Sequence, residues 1–287
     1  MEPLVSIGIP VKNGFANKTE KDINLEKAVH SILNQSYTNL EIIISNNNST
    51  DETNLFLKKI SKTDKRIKIY NQTMEIFINQ NFTFVLSKAT GKYFKWNGAD
   101  DIISPNFIEK NVEFLENNLD YSFSSSKFWF ESLKDKIYGK NLNENLYNRI
   151  KKFFDIRFES HNLFHGLLRR NNIPKIAYMA TNFLGHDWMV SLGLLISGKF
   201  KTIEEGYSIF GNKGISKSKD FKHIWHTRKK IYTIIPFYEF TKFFFKLIFF
   251  LKGLSYSEKI ILYLICIKVN LSFVKRKYRN KFKISIK

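Results

Sequence analysis

The chain is short of cysteine, of acidic residues and of long apolar runs, and each shortage excludes something. A single cysteine, Cys266, rules out an intramolecular disulfide and gives no sign of an oxidising compartment. No window reaches about 18 uninterrupted apolar residues, the usual mark of a spanning helix. The opening MEPLVSIGIPVKNG lacks a basic segment followed by a long apolar run, so it is not read as a signal peptide. There is no Gly-rich phosphate loop, no nucleophile elbow, no internal repeat and no low-complexity linker. Acid is scarce in an uneven way. Net charge is +20, yet residues 220–287 hold 16 Lys/Arg against 3 Asp/Glu, or +13, leaving +7 for the other 219 residues. A basic tail of this kind calls for an anionic partner surface.

What is present is apolar material in quantity. The 287 residues are 43% hydrophobic, with 28 Phe and 13 Tyr, enough for one large domain with an appendage or for two small ones. LVSIGIP (4–10) and LEIIIS (40–45) read as buried strands, and Ile67–Tyr70 and Tyr93–Trp96 as two more. Leu25, Val29, Ile32 and Leu33 share a helical face. Ser49 and Glu52 have capping-box spacing for a helix that follows, and residues 81–89 look helical up to Gly91. Ser104-Pro105 is a good N-cap and first-turn pair for a helix reaching about Asn117. Alternating strands and helices predict an α/β fold with a mainly parallel sheet. Residues 121–200 resist assignment apart from a helical pattern at 187–196.

In such sheets ligands bind beyond the carboxyl ends of the strands. The polar stretches there are Val11–Asn13, Asn46–Asn48 and Asn97–Asp101. Asp100 and Asp101 are adjacent carboxylates just after a strand, suited to a hard divalent cation shared with substrate phosphates. Acidic residues there also simply complement a helix N-terminus. The same two readings apply to Asp187 in GHDW, where partial burial beside Trp188 would raise its pKa and make it a proton acceptor. His161, His165 and His186 lack metal-ligand spacing, and His223 and His226 read as surface histidines.

The tail predicts two amphipathic helices, 236–252 and 256–274. The first carries Glu239, Lys242 and Lys246 on one stripe, and the second opens with a Ser255/Glu258 capping box. Both are too charged to span a bilayer and too apolar to stand free in water. Interfacial insertion, aided by KRKYRNKFK (275–283), is one reading; packing on the rest of the chain or on another subunit is a second. No DNA or RNA motif supports nucleic acid.

Four segments, in order, resemble the family 2 glycosyltransferases, which have the GT-A fold. They are VSIGIPVKNG, LEKAVHSILNQSYTNLEIIISNNNSTDET, NQNFTFVLSKATGKYFKWNGADDIISPNFIEK, and GHDW followed by LGLLISGKF. The resemblance covers residues 4–117 and, more loosely, 160–216. It implies a Rossmann-like catalytic domain over 1–218, followed by a C-terminal amphipathic helical region over 219–287. It implies an inverting transfer of sugar from a nucleoside-diphosphate sugar to a glycan or lipid-linked acceptor. Usage rich in Lys, Asn, Ile and Phe points to a bacterial source with an AT-rich genome, and so to surface polysaccharide or lipooligosaccharide synthesis. The alternative is a silent homologue that only binds such ligands. Pro10, Val11 and Asn13 would line base and ribose, Asn46 would meet the base and Asp100 the ribose or sugar. Asp101 would ligate Mn²⁺ or Mg²⁺, and Asp187 would be the general base. Asn46 stands where the family usually has an aspartate, and Ala99 where it has the first acid of a triplet. The family's downstream metal-site histidine has no counterpart in YSIFGNKGIS (207–216), where Lys213 is instead placed to hold the diphosphate. The expected location is the inner face of the cell membrane, as a peripheral protein.

Overall fold

The computed structural model describes residues 2–16, 19, 21–133, 136–157, 160–179, 181, 183–212 and 235–284, with side chains only as far as 275 in the last stretch. Lys213, His223, His226 and the expected domain boundary at 218/219 lie outside the described residues.

The N-terminal half alternates as its pattern predicts. Strands β1 (Val5–Val11), β2 (Leu40–Asn46), β3 (Ile67–Asn71) and β4 (Tyr93–Trp96) alternate with helices α1 (Leu25–Leu33), α2 (Thr53–Ile60) and α3 (Ile78–Ser87). All four strands are parallel, in the order β3-β2-β1-β4. Their apolar runs are continuous because both faces are covered. Ile42 and Ile44 of β2 join Leu25, Val29 and Ile32 of α1 in one core, while Ile43 joins Val85 of α3 and Phe94 of β4 in a second. Asn24 caps α1 by accepting from the Lys27 amide.

Beyond β4 the sheet changes character. A short strand β5 (Asp101–Ile103) precedes α4 (Phe107–Asn117) and the long β6 (Tyr121–Phe130). Helices α5 (Leu146–Ile156) and α6 (His161–Phe164) lead to β7 (Leu167–Arg169), and α7 (His186–Ser197) leads to β8 (Lys199–Phe210). The eight strands run β3-β2-β1-β4-β7-β6-β8-β5, with β7 and β5 antiparallel to their neighbours. The far edge curls back to the first helix. Gln35, just after α1, donates to the Ser104 carbonyl (2.8 Å) and accepts from the Ile108 amide (3.1 Å).

Three local expectations are revised. The residues after Asp100 form strand β5, so the helix expected at Ser104-Pro105 starts at Phe107. Helix α3 starts three residues before its expected Asn81. The Ser49/Glu52 capping box does not form: α2 starts at Thr53 without a side-chain cap, because Ser49 turns to the β1 loop and accepts from the Asn13 amide at 2.8 Å. Tertiary hydrogen bonding outcompetes the local cap.

The tail forms a helical hairpin, α8 (Tyr238–Phe250) and α9 (Tyr256–Ile284). Its own capping box does form, with Ser255 N–H donating to Glu258 Oε2 at 2.7 Å. One side of the hairpin packs on α5 and α7. Phe237, Phe240, Phe244, Ile248, Leu262, Cys266 and Val269 all belong to the same apolar core as Phe154 and Trp188. Asn270 pins the two helices, accepting from the Phe237 amide (3.1 Å) and donating to Thr241 Oγ1 (2.7 Å).

Candidate active site

Because β1, β2, β3 and β4 are parallel, their carboxyl ends share one edge. Val11 lies beside Asn46, and Asn46 beside Asn71. The loops that leave this edge are tied to one another. The Asn13 side-chain oxygen accepts from the Thr50 amide at 2.8 Å, the Gly14 amide donates to Thr53 Oγ1 at 2.9 Å, and Phe15 and Ala16 amides both donate to Asp51 Oδ2. Burial would raise the Asp51 pKa, but bonds from Thr53, Phe15 and Ala16 together hold it below its ordinary value. Asn13 itself takes a left-handed φ of 52°, tolerable for asparagine. Pro10 and Val11 are buried at the floor of this rim.

Asn46 is placed here too. It is 1% exposed. Its amide donates to Asn54 Oδ1 (2.6 Å) and Asn71 Oδ1 (3.0 Å), and its oxygen accepts from the Ser49 amide (3.2 Å). Both donor hydrogens are used inside the protein, and these bonds shape the turn after β2.

Strand β4 delivers the acidic turn. Asn97 organises it, donating to Asp101 O (2.9 Å) and Gly98 O (3.0 Å), and its amide bonds Gly8 O of β1 (2.9 Å). Asp101, expected as the metal ligand, is 7% exposed and faces inward. Its two oxygens accept from the amides of Gly98 (3.1 Å) and Gly211 (3.2 Å). Gly98 is required: a Cβ there would meet Asp101 Oδ2 at 2.3 Å. Burial first, then the neighbouring Asp100 charge, push the Asp101 pKa up, opposed by Lys95. This carboxylate braces the turn. Asp100 is half-buried over the backbone of Gly211. Among the described residues no group of three acidic, histidine or cysteine side chains converges to cage a metal. The fit is therefore to one carboxylate completed by phosphate and water.

Sequence reasoning missed two features. Lys95 is 1% exposed behind the acidic turn, donating to the carbonyls of His165 (2.5 Å) and Trp96 (3.2 Å) above the Phe107 ring. Desolvation lowers its pKa, opposed by Asp101. The alternation of β4 puts its side chain in the interior, and no local pattern announces a lysine there. The second feature is the pair His161 and His165 on α6. His165 Nδ1 lies 3.9 Å from Asp101 Oδ2 and 3.2 Å from the Trp96 carbonyl. Burial, then the Lys95 and His161 charges, hold its pKa well below the usual imidazole range, so the ring is neutral near pH 7. The His161 and His165 rings are 6.2 Å apart, and both pack on Phe210.

Asp187 lies in the first turn of α7, a helix that contacts α6. Burial raises its pKa, with the charges of His161 and His186 pulling the other way. Gly185 caps α7 with φ 86°, and Trp188 stacks on Phe237 at 5.0 Å and 9°.

The chain is similar to known proteins in sequence and in fold. The glycosyl transferase family 2 model matches residues 6–173. A glycosyltransferase of Haemophilus influenzae, named as uncharacterized, is 40% identical over 116 residues, which are 40% of this chain and 34% of that protein. The GalNAc(5)-diNAcBac-PP-undecaprenol beta-1,3-glucosyltransferase of Campylobacter jejuni is 35% identical over 100 residues, or 34% of this chain and 30% of that protein. The chain thus spans about a third of the length of these relatives. In three dimensions it resembles residues 1–349 of TarS from S. aureus, with a TM-score of 0.67, 13% identity and coverage of 95% of this chain and 73% of that one. The same TarS fragment solved with UDP-GlcNAc gives a TM-score of 0.64, over 91% of this chain and 70% of that one. The fold is GT-A, and the chain belongs to the family 2 glycosyltransferases.

Proposed function

We propose that the chain transfers a sugar from a nucleoside-diphosphate sugar to a hydroxyl of a glycan or lipid-linked acceptor, inverting the anomeric centre, with Asp187 as general base. The supporting observation is that His165, at the end of α6, lies 3.9 Å from Asp101 of the acidic turn after β4, while α6 also contacts α7, whose first turn carries Asp187. The nucleotide takes the rim formed by Pro10, Val11 and Asn13. The diphosphate lies toward Asp100, the role first expected of Asp101. Bound at Asp100, Mn²⁺ or Mg²⁺ supplies charge neutralisation for the leaving diphosphate. Asp101 and Lys95 hold the turn in shape. Asp187 accepts the acceptor's hydroxyl proton as the oxygen attacks the anomeric carbon and the nucleoside diphosphate departs. A carboxylate with a raised pKa is a stronger base, and it stays ionised at neutral pH unless shifted by about three units. A lipid-linked acceptor is supported by the name of the Campylobacter jejuni relative, and a nucleotide-sugar donor by the TarS complex.

One experiment tests the reading. A thermal-shift panel of UDP-, GDP-, dTDP- and CMP-sugars, with and without Mn²⁺, is followed by a transfer assay with the donor that stabilises the protein. Asp187→Asn is expected to keep the donor-dependent shift and lose turnover by about 10²–10⁴-fold. Normal turnover by that variant would remove the base assignment. An Mn²⁺-dependent shift that survives Asp100→Asn would remove the metal assignment. Turnover by the native protein is expected to decline on the acid side at a pH above 3.8, the ordinary aspartate value, because burial raises the Asp187 pKa.

A further inference from the structure

The hairpin of α8 and α9 has a second surface, facing away from the core. Phe249 and Phe250 at its tip are 67% and 70% exposed. Along α9, Ile260, Leu264, Ile267 and Leu271 are 56%, 59%, 41% and 55% exposed. Their spacings of four, three and four put them on one stripe about 16 Å long. This stripe is distinct from Leu262, Cys266 and Val269, the α9 residues that reach the core. Large apolar side chains thus line both sides of α9, and only one side is covered.

The charges around the uncovered side have one sign. Lys246, Lys252, Lys268 and Lys275 are exposed beside it. The sequence from 276 to 283 adds Arg276, Lys277, Arg279, Lys281 and Lys283 with no acid. The acids of the hairpin are Glu239 and Glu258, and Glu258 is engaged at the start of α9 by the Ser255 amide and hydroxyl. A second copy docking through this stripe about a two-fold axis would face one cationic surface with another. A bilayer containing anionic lipid receives the apolar stripe and neutralises the lysines together. Among the described residues no helix is long and apolar enough to cross a membrane, so such contact is interfacial.

We propose that the exposed face of the α8–α9 hairpin lies in the headgroup layer of an anionic membrane, with Phe249 and Phe250 inserted at the tip and the Ile260–Leu271 stripe along the surface. The root of the hairpin reaches the candidate base: Phe237 stacks on Trp188, the residue after Asp187, and packs against Gly185. A hairpin docked on lipid thereby holds the start of α7 at a fixed distance from the membrane. Presentation of a lipid-linked acceptor to Asp187 rests on the glycosyl-transfer reading; the lipid contact itself does not.

The test uses the full chain and sedimentation with vesicles of phosphatidylcholine alone or of equimolar phosphatidylcholine and phosphatidylglycerol. Binding is expected with the anionic vesicles, weakening as salt rises. Two double variants, Phe249→Ser/Phe250→Ser and Ile260→Ser/Leu264→Ser, change only exposed side chains. Each is expected to reduce partitioning about tenfold or more while melting temperature and donor-sugar binding stay as in the native chain. The proposal is overturned if the native chain ignores anionic vesicles, binds neutral ones equally well, or if both variants bind as tightly as it does. A lipid-free dimer that the stripe variant dissolves, without vesicle binding by the native chain, would assign the face to a second copy instead. An inactive Asp187→Asn protein that still binds vesicles bears on the catalytic reading alone.

Discussion

Both halves of the molecule have apolar cores, but they differ in what ties their elements together. The parallel half, β3-β2-β1-β4, has its strand ends and loops fixed by buried polar bonds. Glu41 shows this at the amino end of β2. It is 4% exposed and accepts from Ser6 Oγ (2.6 Å), the Thr90 amide and hydroxyl (2.7 Å each) and Lys68 Nζ (2.8 Å). The half beyond β4 is held by rings. Phe154 meets Phe244 at 5.2 Å, Phe240 stacks on Phe244 at 6.0 Å, and Trp96 stacks on Phe164 at 4.5 Å. Polar bonds fix direction and so hold the loops at the strand ends in set positions. Apolar packing is non-directional and suits the attachment of whole helices.

This contrast can be broken by substitution. The largest stability effect is expected from Phe244→Ala, which removes a fully buried ring. About 3–5 kcal/mol should be lost, visible as a fall in melting temperature, while the nucleotide rim keeps its donor affinity in the folded fraction. Equal loss of both would show the halves to be one energetic unit.

Glu41→Gln should cost about 2–3 kcal/mol at neutral pH, since it weakens a charge-assisted cluster. The pH dependence sharpens the point. Burial alone would raise the Glu41 pKa, but the bonds from Lys68, Ser6 and Thr90 outweigh it and hold it at about 2, against an ordinary 4.5. The unfolded chain therefore binds this proton first as pH falls. The stabilisation is present above pH 4.5 and is lost between about 4.5 and 2. Urea melts at descending pH should show this loss in the native chain and a shallower one in the variant.

Asp51→Ala frees the Phe15 and Ala16 amides and should cost about 1–2 kcal/mol. Donor binding by calorimetry should weaken more than the melting temperature suggests, because the freed loop borders the nucleotide rim. The smallest effect is expected from Gly185→Ala. A left-handed φ of 86° and a Cβ 3.2 Å from the Phe237 ring together amount to about 1–2 kcal/mol. It should lower kcat more than donor affinity, since the strain falls on the turn that carries Asp187. The reverse pattern would place α7 in donor binding.

The legibility of the sequence divides along the same line. β1, α1, β2 and β4 were readable because β-branched runs and one-faced helices repeat over a few residues. Asp100, Asp101 and Asp187 stood out in the sequence because acids follow a strand or open a helix there. The bonding partners of Asn46 and Ser49 did not. Asn46 is drawn into a network with Asn54 and Asn71, and Ser49 is turned to Asn13. Those partners lie between 8 and 36 residues away. The bond from the Gly211 amide to the Asp101 carboxylate, 110 residues apart in sequence, was not legible either.

By itself the sequence determined a parallel α/β half, a strongly cationic apolar tail and the acids from which a site could be made. Those follow from residue type and short periodicity. Only the tertiary structure decided that β7 enters between β4 and β6, that Lys95 is buried, that His165 approaches Asp101, and which side of α9 is covered. Desolvation and strand pairing depend on which distant segments meet, and no local pattern encodes that.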